Sequence, residues 1–444
     1  MSLFNNIKSF FRRKLFYILV ILAILIFTFF VKSMSIYLQL FILAVYLYFL
    51  ILSILISKKY SEVSKAEPFP DKTPTVAVVT YAFGNWTPIK KTITQLKKLK
   101  YPIPFNIYVI TDGTCTFLKG DKQVKPILID KKYFVKSKKN LKSVIINQGL
   151  KHITEENIFE VDGDTIPEKD ALMKMTGSLK GNVGIVVGVI GVTNTKKFVE
   201  KIQAIEYNFS FGLPRMVLTS MGSLDIGTGA LCLFKRKDFL AVGGYNEHNI
   251  TEDKDLAYKL IDRGQTIHFV VDAKAKTEVP DTWKKYYIQR IRWARGGIDT
   301  TNRYLSFLFN KKLGIFGYYL PYSLFILIMS MALIFRSVYN IIKDSVEYAY
   351  YHLLNYIHYG IEWGDITINF SNIFNVNSII IILFISLLIS IYFMGLSFRY
   401  TNHKLDYSYI LPIIFLLMVY GFIIIMINII SIVQELFEVH SKWS

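Results

Sequence analysis

The sequence predicts an α/β domain built on a mostly parallel sheet, facing the cytoplasm and inserted between transmembrane helices. Three observations predict it. Five apolar stretches approach or exceed the ~20 residues that a helix needs to cross a bilayer. Strand-like and helix-like segments alternate between the second stretch and the third, and clusters of Lys and Arg flank the stretches on one side. Composition agrees. With 52% hydrophobic and 19% charged residues over 444 positions and a mean hydropathy of +0.35, the chain is too apolar for an ordinary soluble protein and too charged to lie wholly in lipid.

The apolar stretches cover residues 15–31, 36–56, 315–335, 379–396 and 409–433. No small-residue cleavage site follows the first, and the second begins almost at once, so the pair reads as a retained hairpin rather than a signal peptide. Arg12, Arg13 and Lys14 precede the first stretch, and Lys58 and Lys59 follow the second. Lys311 and Lys312 precede the third, while Arg399 and Lys404 separate the fourth from the fifth. A cytoplasmic N-terminus puts all four clusters on the cytoplasmic side. The expected organisation is therefore a membrane hairpin over 1–59, a cytoplasmic domain over 60–312 and three membrane helices over 313–444. Segment 343–377 and the C-terminus are expected outside the plasma membrane. Given the spans, the formal net charge of +19 suits lipid headgroups and an anionic substrate, and nucleic acid is not an expected partner. Cys115 and Cys232 form no CxxC or Cys/His cluster, so neither a zinc site nor a disulfide framework is indicated.

A linker with Pro68, Pro70 and Pro74 opens the soluble region. Residues 75–80 (TVAVVT) and 105–111 (FNIYVIT) have buried-strand patterns, and residues 89–99 between them have helical spacing. In such sheets ligands gather beyond the carboxyl ends of the strands, so acidic residues there are candidates. Asp112 closes FNIYVIT, and Asp162 and Asp164 close IFEV in the run EVDGDTIP. A single Asp-Gly after a strand is by itself a turn. The D-G-D spacing adds chemistry, because side chains two apart on an extended chain point the same way. Two carboxylates facing one spot suit Mg²⁺ or Mn²⁺ shared with substrate phosphates.

Further along, residues 249–264 (NITEDKDLAYKLIDRG) read as a helix with Thr251 as its cap and Glu252 and Asp253 in its first turn. Residues 289–297 (QRIRWARGG) carry Gln289, Arg290, Arg292 and Trp293, which serve either to anchor a helix among headgroups or to meet an anionic substrate. Segments 201–215 and 282–309 have the aromatic, aliphatic and basic mixture of interfacial helices. Gly181, Gly184, Gly188 and Gly191 lack the Lys-Ser/Thr of a phosphate loop and read as a strand with close backbone approach.

Together these pieces resemble the processive members of glycosyltransferase family 2, the group of cellulose, chitin, hyaluronan and poly-N-acetylglucosamine synthases. The resemblance covers residues 75–300 and rests on four motifs in order. These are an isolated Asp (Asp112), D-x-D (Asp162-Gly163-Asp164), T-E-D (Thr251-Glu252-Asp253) and Q-x-x-R-W (Gln289 to Trp293). Pro167 fits the D-x-D-x-x-P extension. Lys142, Asn147 and Gly149 resemble the family's lysine segment, with Leu141 in place of its glycine. One segment departs: where the family has P-x-Y-N-E, residues 80–86 read TYAFGNW, without the acidic residue that helps to hold the nucleoside.

The resemblance implies a GT-A-type domain with a Rossmann-like mixed sheet. It implies an inverting enzyme that passes sugar from a UDP-sugar to a growing polysaccharide and moves the polymer across the membrane, with Mg²⁺ or Mn²⁺ as cofactor. By the same resemblance, Asp112 contacts the base, Asp162 the nucleotide and Asp164 the metal. Lys142, Arg290 and Arg292 meet the phosphates, Asp253 is the general base, Trp293 receives the acceptor sugar, and Glu252 and Gln289 complete the substrate site. A non-processive enzyme that glycosylates a lipid shares these aspartates and is the rival expectation. A transporter is disfavoured because the apolar stretches hold almost no ionisable residues.

Overall fold

The structure is a computed structural model. It describes residues 14–26, 28, 64–82, 87–113, 121–134, 140–359, 378–401 and 405–437. Cys115 and the apolar stretch 36–56, hence most of the expected N-terminal hairpin, lie outside the described residues.

Eight strands form one sheet: β1 (Val76–Ala82), β2 (Asn106–Thr111), β3 (Val124–Leu128), β4 (Asn157–Val161), β5 (Ile166–Pro167), β6 (Val183–Val192), β7 (Leu231–Lys235) and β8 (Thr266–Thr277). Their order across the sheet is β3-β2-β1-β4-β7-β6-β8-β5. The helices before the last third of the chain are α1 (Lys14–Ile26), α2 (Thr87–Leu96), α3 (Leu141–Leu150), α4 (Ala171–Ser178), α5 (Phe198–Ser210), α6 (Leu213–Ser220), α7 (Arg236–Ala241), α8 (Glu252–Asp262) and α9 (Trp283–Arg303). The last third carries α10 (Phe316–Tyr359), α11 (Ser378–Thr401), α12 (Ile410–Phe415) and α13 (Gly421–Leu436).

β1 and β2 are largely apolar runs because helices cover both faces of the sheet, and Val76, Ala77, Val78 and Val79 are buried. At Gly149 a Cβ would stand 2.3 Å from Ile110 Cδ1, so only glycine lets α3 lie this close to β2. The glycine-rich segment is strand β6, where a Cβ on Gly188 would meet the Ala273 carbonyl at 2.5 Å.

Strands β3, β2, β1 and β4 run parallel, β7 runs antiparallel to both β4 and β6, and β6 and β8 are again parallel. The sheet is thus mixed rather than mostly parallel. The reversal at β7 has a consequence for the site. It brings the start of β7 to the same edge as the carboxyl ends of β1, β2, β4, β6 and β8, so acidic residues from distant parts of the sequence converge there.

The apolar C-terminal part differs from the expected layout in one respect. α10 is a single helix of 44 residues, ~66 Å long at ~1.5 Å per residue and about twice the hydrocarbon thickness. Residues 343–359, expected to begin an outside segment, continue this helix, and 360–377 lie outside the described residues. Segments Phe316–His358 and Tyr407–Leu436 are long and apolar enough to cross a membrane, while Lys14–Ile26 and Leu387–Thr401 are shorter apolar helices. These helices are tied to the sheet domain by polar contacts. Arg295 Nε on α9 donates to Glu435 Oε1 on α13 at 2.5 Å, and the Leu213 amide of α6 donates to Ser397 Oγ on α11 at 3.2 Å.

Candidate active site

The D-G-D run leaves the carboxyl end of β4 between the ends of β1 and β7. A Cβ on Gly163 would stand 2.6 Å from the Tyr81 carbonyl oxygen, so the middle residue must be glycine for β1 and the acidic turn to pack. Thr92 on α2 donates to the Gly163 carbonyl at 2.9 Å, and Thr277 at the end of β8 donates to Asp164 Oδ1 at 3.3 Å. The turn's backbone and Asp164 are therefore held by neighbouring elements. Burial and the adjacent Asp162 charge raise the pKa of Asp164, a crowding that a divalent cation would relieve.

Lys142 reaches this turn from the start of α3. Its Nζ lies 3.1 Å from Asp162 Oδ1 and 2.8 Å from Glu252 Oε1. Burial works against the ammonium, but Asp162 and Glu252 outweigh it and hold its pKa well above the ordinary lysine value. The helix start is fixed by Asn140, whose Oδ1 accepts from the Lys142 amide at 3.1 Å and whose Nδ2 donates to Glu252 Oε2 at 3.0 Å. Asn147, one helical face along, clamps the Tyr245 backbone with bonds of 2.8 and 2.9 Å.

The T-E-D turn sits opposite. Thr251 occupies the N-cap of α8, but its hydroxyl donates to Asn249 Oδ1 at 3.2 Å instead of capping the helix as expected. Asn249 Nδ2 also donates to Thr300 Oγ1 on α9 at 2.8 Å, which joins the T-E-D turn to the Q-x-x-R-W helix. Asp253 Oδ2 accepts from the Gly229 amide at 3.1 Å, and Oδ1 from the Lys254 amide at 2.8 Å. Burial and the neighbouring Glu252 carboxylate push its pKa up to about 6. Asp253 is thus ionised at neutral pH yet basic enough to accept a proton.

Of the ten residues that the sequence selected, a cavity of about 390 Å³ gathers Lys142, Asp162, Asp164, Glu252, Asp253, Gln289, Arg292 and Trp293. Asp112 and Arg290 do not line it. Asp112 stands just past the end of β2, with β1 between it and the strand that carries the D-G-D turn. A smaller cavity of about 270 Å³ at the end of β1 shares Asp162 and Asp164 with the larger one. Arg290, expected on the phosphates, lies outside this lining. It is buried behind Trp293, paired with Glu206 and stacked 4.3 Å from the Trp293 ring centroid, so its charge is spent on holding α9 and the tryptophan in place.

Three residues of the site escaped the sequence reading. Tyr81, in the departing segment, donates its hydroxyl to Asp162 Oδ1, and its ring lies 4.9 Å from Lys142 Nζ. Arg215 on α6 lines the cavity, although its position in an expected interfacial segment had suggested contact with lipid. Lys254 follows the T-E-D turn directly and pairs with Asp225 at 3.4 Å. Together with Trp293 and Gly297, Lys254 also lines a further cavity of about 410 Å³, which runs between α1, α9, α10 and α13 past Phe16, Ser323 and Asn428.

Among the described residues, no group of three or more His, Cys, Asp or Glu side chains is placed to hold a metal ion. The oxygen donors of the D-G-D turn fit Mg²⁺ or Mn²⁺ that shares its shell with phosphate oxygens.

A family model described as glycosyl transferase family group 2 matches residues 158–428, from β4 into α13 and more than half of the chain. A poly-beta-1,6-N-acetyl-D-glucosamine synthase of Staphylococcus aureus is 28% identical over 252 residues, covering 55% of this chain and 60% of that one. The synthase of the same name from Staphylococcus epidermidis is 29% identical over 236 residues, covering 51% and 56%. The match thus spans less than two thirds of these relatives. Among solved structures, a mannosyltransferase from Pyrobaculum calidifontis in complex with GDP-Man and Mn²⁺ aligns over 71% of this chain and 91% of its own, at 16% identity and a TM-score of 0.47. The chain belongs to glycosyl transferase family group 2.

Proposed function

We propose that the chain is an inverting, processive polysaccharide synthase that uses a UDP-N-acetylhexosamine or UDP-hexose on the cytoplasmic side and extrudes its product through the membrane helices. One observation carries this reading. A half-buried carboxylate with a pKa near 6, Asp253, shares a cavity with the D-G-D turn, and that cavity adjoins a second one between apolar helices. The names of the staphylococcal relatives support N-acetylglucosamine as the sugar.

Asp164 would hold Mg²⁺ or Mn²⁺, with Asp162 at the nucleotide and Asp112 toward the base. Bound there, the metal neutralises the diphosphate as it leaves. Lys142, held between Asp162 and Glu252, supplies a fixed positive charge at the same place, and the exposed Arg292 supplies a second one from the rim, where Gln289 also lines the cavity. Asp253 takes the proton of the acceptor hydroxyl as that oxygen attacks the sugar's anomeric carbon. The bond to the diphosphate breaks on the opposite face, so the configuration inverts with no covalent enzyme intermediate. Trp293 gives the acceptor ring a flat apolar surface, stiffened from behind by Arg290.

The arrangement of membrane segments belongs to the same proposal: N-terminus and domain 60–312 in the cytoplasm, and the C-terminus outside a plasma membrane. Incubating the purified chain with a panel of UDP-sugars tests the activity. UDP release that needs Mg²⁺ or Mn²⁺, with products that form a ladder on a gel, is the expected result. Release in excess chelator counts against the metal role, and a single added sugar on lipid counts against the polymer.

A further inference from the structure

The cations that line the main cavity divide into two groups. Lys142 pairs with Asp162 and Glu252, and Lys254 pairs with Asp225. Arg215 and Arg292 make no ion pair among the described residues. Arg292 is exposed at the rim on α9. Arg215 lies deeper, and its environment is built. The guanidinium carbon lies 3.7 Å from the Phe211 ring centroid, and Nη1 donates to Thr228 Oγ1 at 2.6 Å.

A guanidinium has five N–H donors, and the bond to Thr228 leaves most of them to be met by a ligand in this half-buried position. Burial pushes its pKa down to about 10, so it stays charged at neutral pH. Its location decides what it can meet. Thr228 precedes Gly229, whose amide is bonded to Asp253, so Arg215 borders the general base. The D-G-D carboxylates and Lys142 reach the same cavity from β4 and α3 instead. The negative potential of Asp225 and Asp253 already acts on Arg215, which reduces the need for a further anionic ligand and favours a neutral one. A planar fork of N–H donors, held flat against an aromatic ring, matches the vicinal oxygens of a sugar ring.

We infer that Arg215 is an acceptor-binding residue, whose guanidinium grips neighbouring oxygens of the terminal acceptor sugar and thereby selects the hydroxyl that is presented to Asp253. The inference rests on the proposed glycosyl transfer and extends it to a residue outside the family's motifs. α6 thus has a chemical task besides its packing against the apolar helices.

The test uses the full chain in lipid nanodiscs, with a β-1,6-linked N-acetylglucosamine oligosaccharide as acceptor probe and UDP as nucleotide probe. Arg215→Lys keeps the charge and loses the fork, and Arg215→Gln keeps one planar donor group. Oligosaccharide affinity should fall at least about tenfold in Arg215→Lys, while UDP affinity stays within about twofold of the parent. Arg215→Gln should retain more oligosaccharide affinity than Arg215→Ala. Unchanged oligosaccharide binding in all three variants overturns the inference. So does a parallel loss of UDP affinity, which places Arg215 on the diphosphate. Binding is read without turnover, so a parent chain that binds both probes but transfers no sugar contradicts the proposed function alone.

Discussion

Asp253 and Tyr81 show how single side chains set the chemistry of the cavity. The folded chain raises the Asp253 pKa to about 6, from ~3.9 in an unfolded chain. The folded state therefore binds this proton more readily, and protonation stabilises the fold as pH falls through about 6 while removing the base. kcat/KM should decline on the acid side with an apparent pKa near 6, and a flat profile across that range would contradict the assignment. Asp253→Asn, which keeps the neutral form permanently, should melt no lower than the parent at neutral pH. Tyr81 acts on Asp162, because its hydroxyl fixes the carboxylate toward Lys142. Tyr81→Phe should raise the KM for the UDP-sugar by roughly three- to tenfold, the loss of one charge-assisted hydrogen bond, with kcat little changed. An unaltered KM would show that the hydroxyl is dispensable. Asp162 and Asp164 were legible because their spacing is local and the strand end fixes their direction, and Asp253 because its T-E-D motif follows theirs in the family's order. Tyr81 and Arg215 were not, since their meaning comes from Asp162 and Asp253, which lie far away in the sequence.

At the scale of elements, α3 and α9 position the site, and both do so through residues whose types the packing explains. In α3, Lys142 serves the carboxylates, Asn147 the Tyr245 backbone and Gly149 the contact with β2. Gly149→Ala would drive a Cβ into Ile110 and should cost ~1–3 kcal/mol of stability, read as a lower midpoint in thermal unfolding. An unchanged midpoint would mean that α3 can move away from β2 at little cost. In α9, the sequence showed an arginine-rich helix and left open whether it faced lipid or substrate. Neither answer covers the whole helix: Arg292 lines the cavity, while Arg290 braces Trp293 and Arg295 ties the helix to α13. Hydrophobic periodicity could not separate these roles, because Glu206 and Glu435, the partners that draw Arg290 and Arg295 inward, are 84 and 140 residues away. The antiparallel β7 was missed for a similar reason. A five-residue buried strand has the same apolar pattern in either direction.

At the scale of the molecule, the cavity at the sheet edge and the cavity between the apolar helices share Lys254, Trp293 and Gly297 as lining, which gives the product a candidate route. It runs from the D-G-D turn past Trp293 and Lys254 to the cavity beside Ser323 and Asn428. If that cavity receives the product, Ser323→Trp should shorten the polymer on a gel while UDP affinity stays unchanged, and full-length product from the variant would remove the cavity from the route. The central claim is that Asp253 is the base of a metal-assisted glycosyl transfer. Single-turnover transfer from UDP-N-acetylglucosamine, measured beside UDP binding on the same preparations of parent and Asp253→Asn, tests it most directly. The account predicts a loss of transfer of at least ~10²-fold in the variant, with UDP affinity within a few-fold of the parent. Substantial transfer by folded Asp253→Asn would contradict it.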